Sequence, residues 1–258
     1  MKIAMHVRSG RPPITEFATG LRKTIEEAGA RIVTGDEEKP DMVLAVGGDG
    51  TVLGAARSAL AWDVPVLGFN LGTLGFLARA EPAEMETVVG RLLSGDYDVE
   101  ERLTVSADVG SGAQDGVNDV VVEKIDSTRL VSLEVVVDGS LFTTYRADGL
   151  IVATPTGSTA YSFSAGGPVM DPRVRALVLT PVAAHSLFDR PIVLPANSRI
   201  TVTVRGDRPV RVNVDKTPLG NIGDGGSAAI SVGSKPARFV TFGPVAFPGL
   251  VREKFGLG

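Results

Sequence analysis

The fold class this sequence predicts is an α/β N-terminal domain followed by a β-rich, sandwich-like C-terminal domain. Three observations carry that expectation. Short apolar runs alternate with helical patterns up to about residue 98. From residue 99 the texture changes to many short β-branched runs broken by Gly, Asp and Asn. In both parts a glycine- or hydroxyl-rich turn follows directly on a buried-strand pattern.

In chain order, 2–7, 41–46 and 64–68 read as strands, and 15–28, 51–60 and 83–93 as helices. This is a βαβα arrangement and therefore a parallel sheet covered by helices. Strands are then expected over 103–109, 117–124, 130–137, 141–146, 150–153, 200–204, 210–214 and 228–232; many short strands with turn signals between them suit an antiparallel sandwich or a barrel-like domain. Val137-Asp138-Gly139-Ser140 is the clearest hairpin, because Asp-Gly tolerates the positive φ angles of a tight turn. A short helical pattern at 251–255 follows a Gly- and Pro-rich approach. The expected organisation is a first domain over 1–98, a second over 99–236, and a C-terminal segment over 237–258 that returns to the first.

Composition narrows the function classes. The 258 residues, 43% apolar and 22% charged, are enough for two modest domains with real cores. There are no cysteines, which excludes disulfide frameworks, thiolate nucleophiles and thiolate metal sites and agrees with a reducing compartment. With two histidines, His6 and His185, metal sites built on several imidazoles are excluded as well. No apolar run approaches the roughly 20 residues that span a bilayer, and the N-terminus lacks the pattern of a signal peptide, so a cytoplasmic protein that does not bind membranes is expected. The net charge of -4 with mixed signs argues against nucleic acid as the partner and for a small molecule.

Three stretches carry chemistry. The strand pattern 41–46 runs into Gly47-Gly48-Asp49-Gly50-Thr51 and then into a helix. Such a turn lets backbone N–H groups approach a phosphate, aided by the partial positive charge of the helix N-terminus. Asp49 is unexpected beside phosphate unless it holds a cation or takes a proton from an attacking hydroxyl. Taken alone, the same residues also make an ordinary tight turn that caps a helix. They are not a P-loop, since no Lys-Ser or Lys-Thr follows the glycines.

The second stretch, 148–161, holds Asp148 before a strand and Thr154-Pro155-Thr156-Gly157-Ser158-Thr159-Ala160-Tyr161 after it. Its hydroxyls supply short donors and acceptors, and Tyr161 offers a flat face with a polar tip, as a nucleotide-like ligand requires. The plainer alternative makes the hydroxyls helix caps and Tyr161 a core residue. Third, Asn118-Asp119 place an amide and a carboxylate side by side; both can reach one ligand only if a strand begins there, because neighbouring strand residues face opposite sides. His185 is expected to be a hydrogen-bonded residue of a packed turn, and Trp62 and the phenylalanines core.

These motifs, taken in order with 68–77, 162–168 and 181–195, resemble the NAD kinase family over almost the whole chain. Diacylglycerol and sphingosine kinases share the Gly-Gly-Asp-Gly-Thr turn but not the Thr-Pro-Thr-Gly-Ser-Thr-Ala-Tyr run. The resemblance implies an α/β domain and a β-rich domain with the dinucleotide between them, self-association as a homodimer or homotetramer, and transfer of phosphate from ATP, or polyphosphate, to NAD to give NADP, with Mg2+ or another divalent cation accompanying ATP.

By the same likeness, Asp49 would take the proton of the adenosine ribose 2'-hydroxyl, and Gly47, Gly48, Gly50 and Thr51 would shape the phosphate turn. Phe76, Asn118, Asp119, Arg146, Asp148, Thr156, Thr159, Ala160, Tyr161, Ser164 and Asp215 would contact NAD, with no metal held by protein alone. The chain departs from the family in two places. Asp119 stands where the family usually has Glu, and Lys216-Thr217 follow Asp215 where Gly-Gln or Gly-Glu is common. A lipid kinase using the same turn would need an apolar acceptor groove, and a non-catalytic dinucleotide-binding regulator would have no use for Asp49.

Overall fold

The computed structural model describes residues 1–8, 10–34, 38–72, 75–244 and 246–257. Thr73 and Leu74, part of the run 68–77 that carries the family resemblance, lie outside the described residues. Two compact units emerge, one built from 1–101 together with 237–258 and the other from 102–236.

The first unit opens with β1 (Lys2–Val7), α1 (Pro12–Glu27) and β2 (Arg31–Ile32), followed by β3 (Met42–Gly47), α2 (Asp49–Trp62) and β4 (Val66–Asn70). A single 3-10 turn, Pro82–Glu84, leads into α3 (Met85–Ser94) and β5 (Asp98–Arg102). Prolines at the first helical positions start α1, where the missing N–H costs nothing. Its residues Ile14, Ala18, Leu21 and Ile25 recur at helical spacing and are the ones buried. Every residue of β3 is buried, as expected of an inner parallel strand covered on both faces. Helix α2 packs small residues, Ala55, Ala56 and Ala59, together with Val52 and Leu53, and ends where Asp63 turns left-handed at φ 55°.

The second unit is antiparallel. Its strands are β6 (Val105–Asp108), β7 (Gln114–Gly116), β8 (Asp119–Lys124), β9 (Val131–Val137), β10 (Ser140–Ala147) and β11 (Gly149–Ala153). A 3-10 turn, Gly157–Thr159, and the short α4 (Tyr161–Ser164) precede β12 (Ala176–Val182), β13 (Ile192–Pro195), β14 (Ile200–Val204), β15 (Val210–Val214), β16 (Thr217–Ile222) and β17 (Ser227–Val232). They form two six-stranded sheets, ordered β10-β9-β14-β17-β6-β7 and β13-β12-β11-β8-β15-β16. One apolar core draws on both, including Leu133, Val135, Ile200 and Val202 from the first and Val120, Leu150, Leu179 and Val212 from the second, so this unit is a sandwich. Truncating Leu133 or Leu150 to Ala within it costs about 2–5 kcal/mol.

The chain then returns. β18 (Ala237–Thr241) enters the first unit's sheet, whose order is β2-β1-β3-β4-β18-β5, and α5 (Phe247–Phe255) follows. None of α5's residues is buried, but Phe247 and Phe255 set their rings 6.3 and 6.1 Å from that of Phe76. Among the described residues no helix is long and apolar enough to cross a membrane.

Several expectations need correction. Trp62, the last residue of α2, is only half-buried, and Phe163, Phe188 and Phe255, on loops or short helices, are exposed rather than core. The side chain of His185 is exposed as well, and its turn is tied through its backbone N–H, which donates to the Arg146 carbonyl at 2.7 Å.

Candidate active site

In the first unit, β3 delivers its chain directly into the turn before α2. Gly48 caps that helix with no side-chain hydrogen bond, and Asp49 is the acidic residue of the first turn. The turn borders a cleft of about 520 Å³ lined by His6, Val7, Arg8, Gly48, Asp49, Gly50 and Thr51. His6 and Arg8 enter because β1 pairs in parallel with β3, His6 opposite Ala45 and Val7 opposite Val46. Partial burial lowers the pKa of His6, which keeps the imidazole neutral to lower pH than usual. Neither residue carried a sequence signal of its own; the strand register puts them there.

Asp49 faces the loop at 76–78. Its Oδ2 accepts the Phe76 N–H at 2.7 Å, and its Oδ1 accepts those of Leu77 and Ala78 at 3.0 and 3.4 Å. Gly75 is what allows the approach, since a Cβ there would collide with the Asp49 carboxylate, whose Cγ would lie 2.6 Å away. Phe76 is 8% exposed, its ring facing Phe247 and Phe255.

The second unit gathers most of the remaining residues. β8 begins at Asp119, with Asn118 just before it, so the pair stands at a strand mouth. β8 pairs with β11, Asp119 opposite Ala153, and the chain leaves β11 into the turn at Thr154. That turn is locked to the strand mouth: Thr154 N–H donates to the Asn118 carbonyl at 2.9 Å, and Thr154 Oγ1 donates to the Val117 carbonyl at 2.7 Å. A Cβ on Gly157 would run into the Asn118 backbone, 2.5 Å from its carbonyl carbon.

Two buried polar atoms here, Asn118 Oδ1 and Thr156 Oγ1, have no hydrogen-bond partner among the described residues. Such atoms are costly unless a ligand or water satisfies them. Neither Thr156 nor Thr159 caps a helix by its side chain; Thr159 Oγ1 donates to the Thr156 carbonyl at 3.3 Å. Ser158 is structural, donating to the Pro155 carbonyl at 2.7 Å and accepting from Met170 N–H at 2.9 Å. Ala160 is half-buried and Ser164 exposed.

Tyr161 is 43% exposed, not core. Burial, and then the charges of Glu123, Asp148 and Asp119, raise its phenol pKa, so these groups share one neighbourhood. Asp148 forms an ion pair with Lys124. Glu123 accepts from Asn213 Nδ2 at 2.8 Å. Sequence patterns did not single out Glu123 or Lys124; their signal is the β8–β11 register, which sets Glu123 opposite Gly149. Arg146 is exposed, its N–H donating to Ser186 Oγ at 3.3 Å. Asp119 is 5% exposed, and burial followed by the charge of Asp215 pushes its pKa up to about 7, against a smaller lowering by Lys216. Asp215 turns its carboxylate toward the 117–119 backbone. Among the described residues, no three His, Asp or Glu side chains come together to hold a metal ion.

Over its full length the chain superposes on yeast NADH kinase complexed with NADH with a TM-score of 0.90 at 24% identity, covering 88% of that chain. It superposes on all of an NAD kinase from Archaeoglobus fulgidus in complex with ATP with a TM-score of 0.82 at 25% identity. Fold and glycine turn together define a phosphotransferase. At the level of sequence, residues 9–97 match the ATP-NAD kinase N-terminal domain and 117–242 the ATP-NAD kinase C-terminal domain. The NAD kinase of Pseudomonas savastanoi pv. phaseolicola is 41% identical over 225 residues, 84% of this chain and 76% of that protein. That of Pseudomonas aeruginosa is 40% identical over the same span. The chain belongs to the ATP-NAD kinase family.

Proposed function

We propose that this protein transfers the γ-phosphoryl group of ATP to the 2'-hydroxyl of the adenosine ribose of NAD, giving NADP. The observation that carries the reading is Asp49, presented at the N-terminus of α2 on the wall of a cleft of about 520 Å³ and held there by the N–H groups of 76–78. The Archaeoglobus fulgidus relative, solved with ATP, supports ATP as donor.

Phosphoryl transfer asks a protein mainly for alignment and charge neutralisation. In the first unit, the turn 47–51 and the first turn of α2 aim N–H groups at the donor phosphates, and Arg8 adds positive charge at the cleft wall. A carboxylate has about four acceptor positions. Asp49 uses two on Oδ1 and one on Oδ2, so Oδ2 keeps a lone pair to receive the proton of the attacking hydroxyl. A divalent cation such as Mg2+ would be carried by the donor phosphates, whose charge it neutralises.

In the second unit, Asp119 accepts from ribose hydroxyls, and Asn118 Oδ1 and Thr156 Oγ1 take ligand partners in place of those they lack. The Tyr161 ring lies against base or sugar, and Asp148, neutralised by Lys124, serves the nicotinamide end. Thr159, Ala160 and Ser164 line the same turn, with Arg146 nearby. The absence of cysteine supports a cytoplasmic setting. The exposed apolar side chains of Leu187, Phe188 and Val193 support a homodimer or homotetramer.

The test is to incubate the purified protein with magnesium, ATP and NAD and to follow NADP with a dehydrogenase specific for it. Steady NADP formation is expected. Formation with polyphosphate alone would change the donor, and NAD binding without turnover on either donor would refute the reading.

A further inference from the structure

Beside the acceptor residues lies a carboxylate whose chemistry is spent on the protein itself. Asp215 is 5% exposed. Its Oδ2 accepts the Val117 N–H at 2.6 Å, and its Oδ1 accepts those of Asn118 at 2.7 Å and Asp119 at 3.2 Å. The reason is topological. The β15–β8 ladder ends with Val214 opposite Val120, and Asp215 and Lys216 then turn the chain away with φ angles of 47° and 67°. The N–H groups of 117–119 thereby lose a facing strand, and one side chain replaces it. Returning the contact, Asp215 N–H donates to the Asp119 carbonyl at 3.0 Å.

We propose that Asp215 is a positioning residue for recognition of the acceptor dinucleotide, acting on Asp119 twice: it fixes the backbone from which Asn118 and Asp119 project, and it holds a second negative charge beside the Asp119 carboxyl. This rests on the assignment of NAD as acceptor. The groups facing Asp119 are Asp215 and Lys216 from the β15–β16 turn and Tyr161 from α4. Of these, Asp215 opposes ionisation of Asp119 and Lys216 favours it. A carboxylate accepts from two ribose hydroxyls, whereas a protonated carboxyl has lost part of that capacity. NAD affinity therefore weakens as pH falls through the neutral range where Asp119 takes up its proton.

The experiment measures NAD binding by calorimetry, together with kcat and KM for NAD, across neutral pH for the wild type, Asp215→Asn, Lys216→Asn and Asp119→Asn. Asn at 216 keeps a residue that tolerates positive φ while removing the charge. In the wild type, NAD affinity should fall on the acid side of about pH 7. Asp215→Asn should move that fall to lower pH by about 1 unit and weaken NAD binding about 10-fold at alkaline pH by loosening the strand mouth, with kcat at saturating NAD changed far less than KM. Lys216→Asn should move the fall to higher pH, and Asp119→Asn should remove it. Opposite shifts from neighbouring residues are not what a merely structural role produces. If wild-type protein makes NADP but the Asp215 and Lys216 variants leave the pH at which affinity falls unmoved, or move it in the same direction, the inference fails and the enzyme assignment stands. Should Asp215→Asn not fold, an unmoved pH dependence in Lys216→Asn alone overturns it. No NAD binding by the wild type would instead refute the assignment on which it rests.

Discussion

Asp49 and Asp119 are carboxylates given opposite surroundings. Asp49 is bound by three N–H groups, a setting in which a carboxylate keeps its place without blocking its last acceptor position. Replacing it with Asn removes the proton acceptor while preserving shape. We expect kcat for NADP formation to fall by about 100-fold or more, with NAD affinity measured by calorimetry nearly unchanged; unaltered turnover would remove Asp49 from the mechanism. Asp119 instead sits buried beside another carboxylate and ionises near pH 7 rather than near 3.8. Between those values the folded state binds the extra proton, so stability declines as pH rises from about 4 to about 7 and stays reduced above it. Asp119→Asn should therefore raise Tm at pH 8, with the gain vanishing near pH 4, and a pH-independent effect on Tm would contradict this. Residues such as Asp49 and Asn118 were legible because a motif names them. His6, Arg8, Glu123 and Lys124 were not, since only strand register brings them to the clusters, and nothing in a single chain of letters states which strands pair.

At the scale of elements, the β15–β16 hairpin is a place where sequence and backbone disagree. Both residues of its two-residue turn take positive φ, and Lys216 at 67° occupies a position better suited to Gly. Lys216→Gly should stabilise the protein by about 1 kcal/mol, the left-handed backbone cost it relieves, and raise Tm by about 2 °C in a thermal melt; a lower Tm would show that the Lys216 side chain contributes more than its conformation costs. Elsewhere, elements with strong periodicity were legible. Helix α1 with its buried Ile14, Leu21 and Ile25, and the Asp-Gly hairpin pairing Val137 with Ser140, follow directly from spacing and turn chemistry. The strands missed are mostly edges or interrupted runs. β5 is Asp98-Val99-Glu100-Glu101-Arg102, whose charges suit an exposed edge. β16 carries Pro218 and Gly220, and β13 ends in Pro195, residues that sequence rules assign to turns but that sheet borders tolerate. β18 has an ordinary strand composition, but local pattern gave no means of assigning it to a sheet begun with β1 at Lys2.

For the molecule as a whole, the homodimer or homotetramer proposed above would cover apolar side chains that are exposed on the second unit. Leu187 is fully exposed, and Phe188 packs edge-on against Phe142 while remaining open to solvent. Light scattering should report a dimer or tetramer for the wild type, and Leu187→Asp combined with Phe188→Asp should lower the assembled mass; an unchanged mass would place the contact elsewhere. The threading of the chain has a further consequence for biosynthesis. β18 stands between β4 and β5, yet it is encoded after all of the second unit. As the polypeptide leaves the ribosome, the sandwich of 102–236 can close while the earlier α/β unit, whose residues 79 and 80 already bond to Gly68 and Asn70, still lacks the partner of the Val66 end of β4. An unpaired apolar edge of that kind is a template for wrong partners, so the nascent first unit is the part of this protein for which a chaperone matters, until residues 237–241 emerge and seal it.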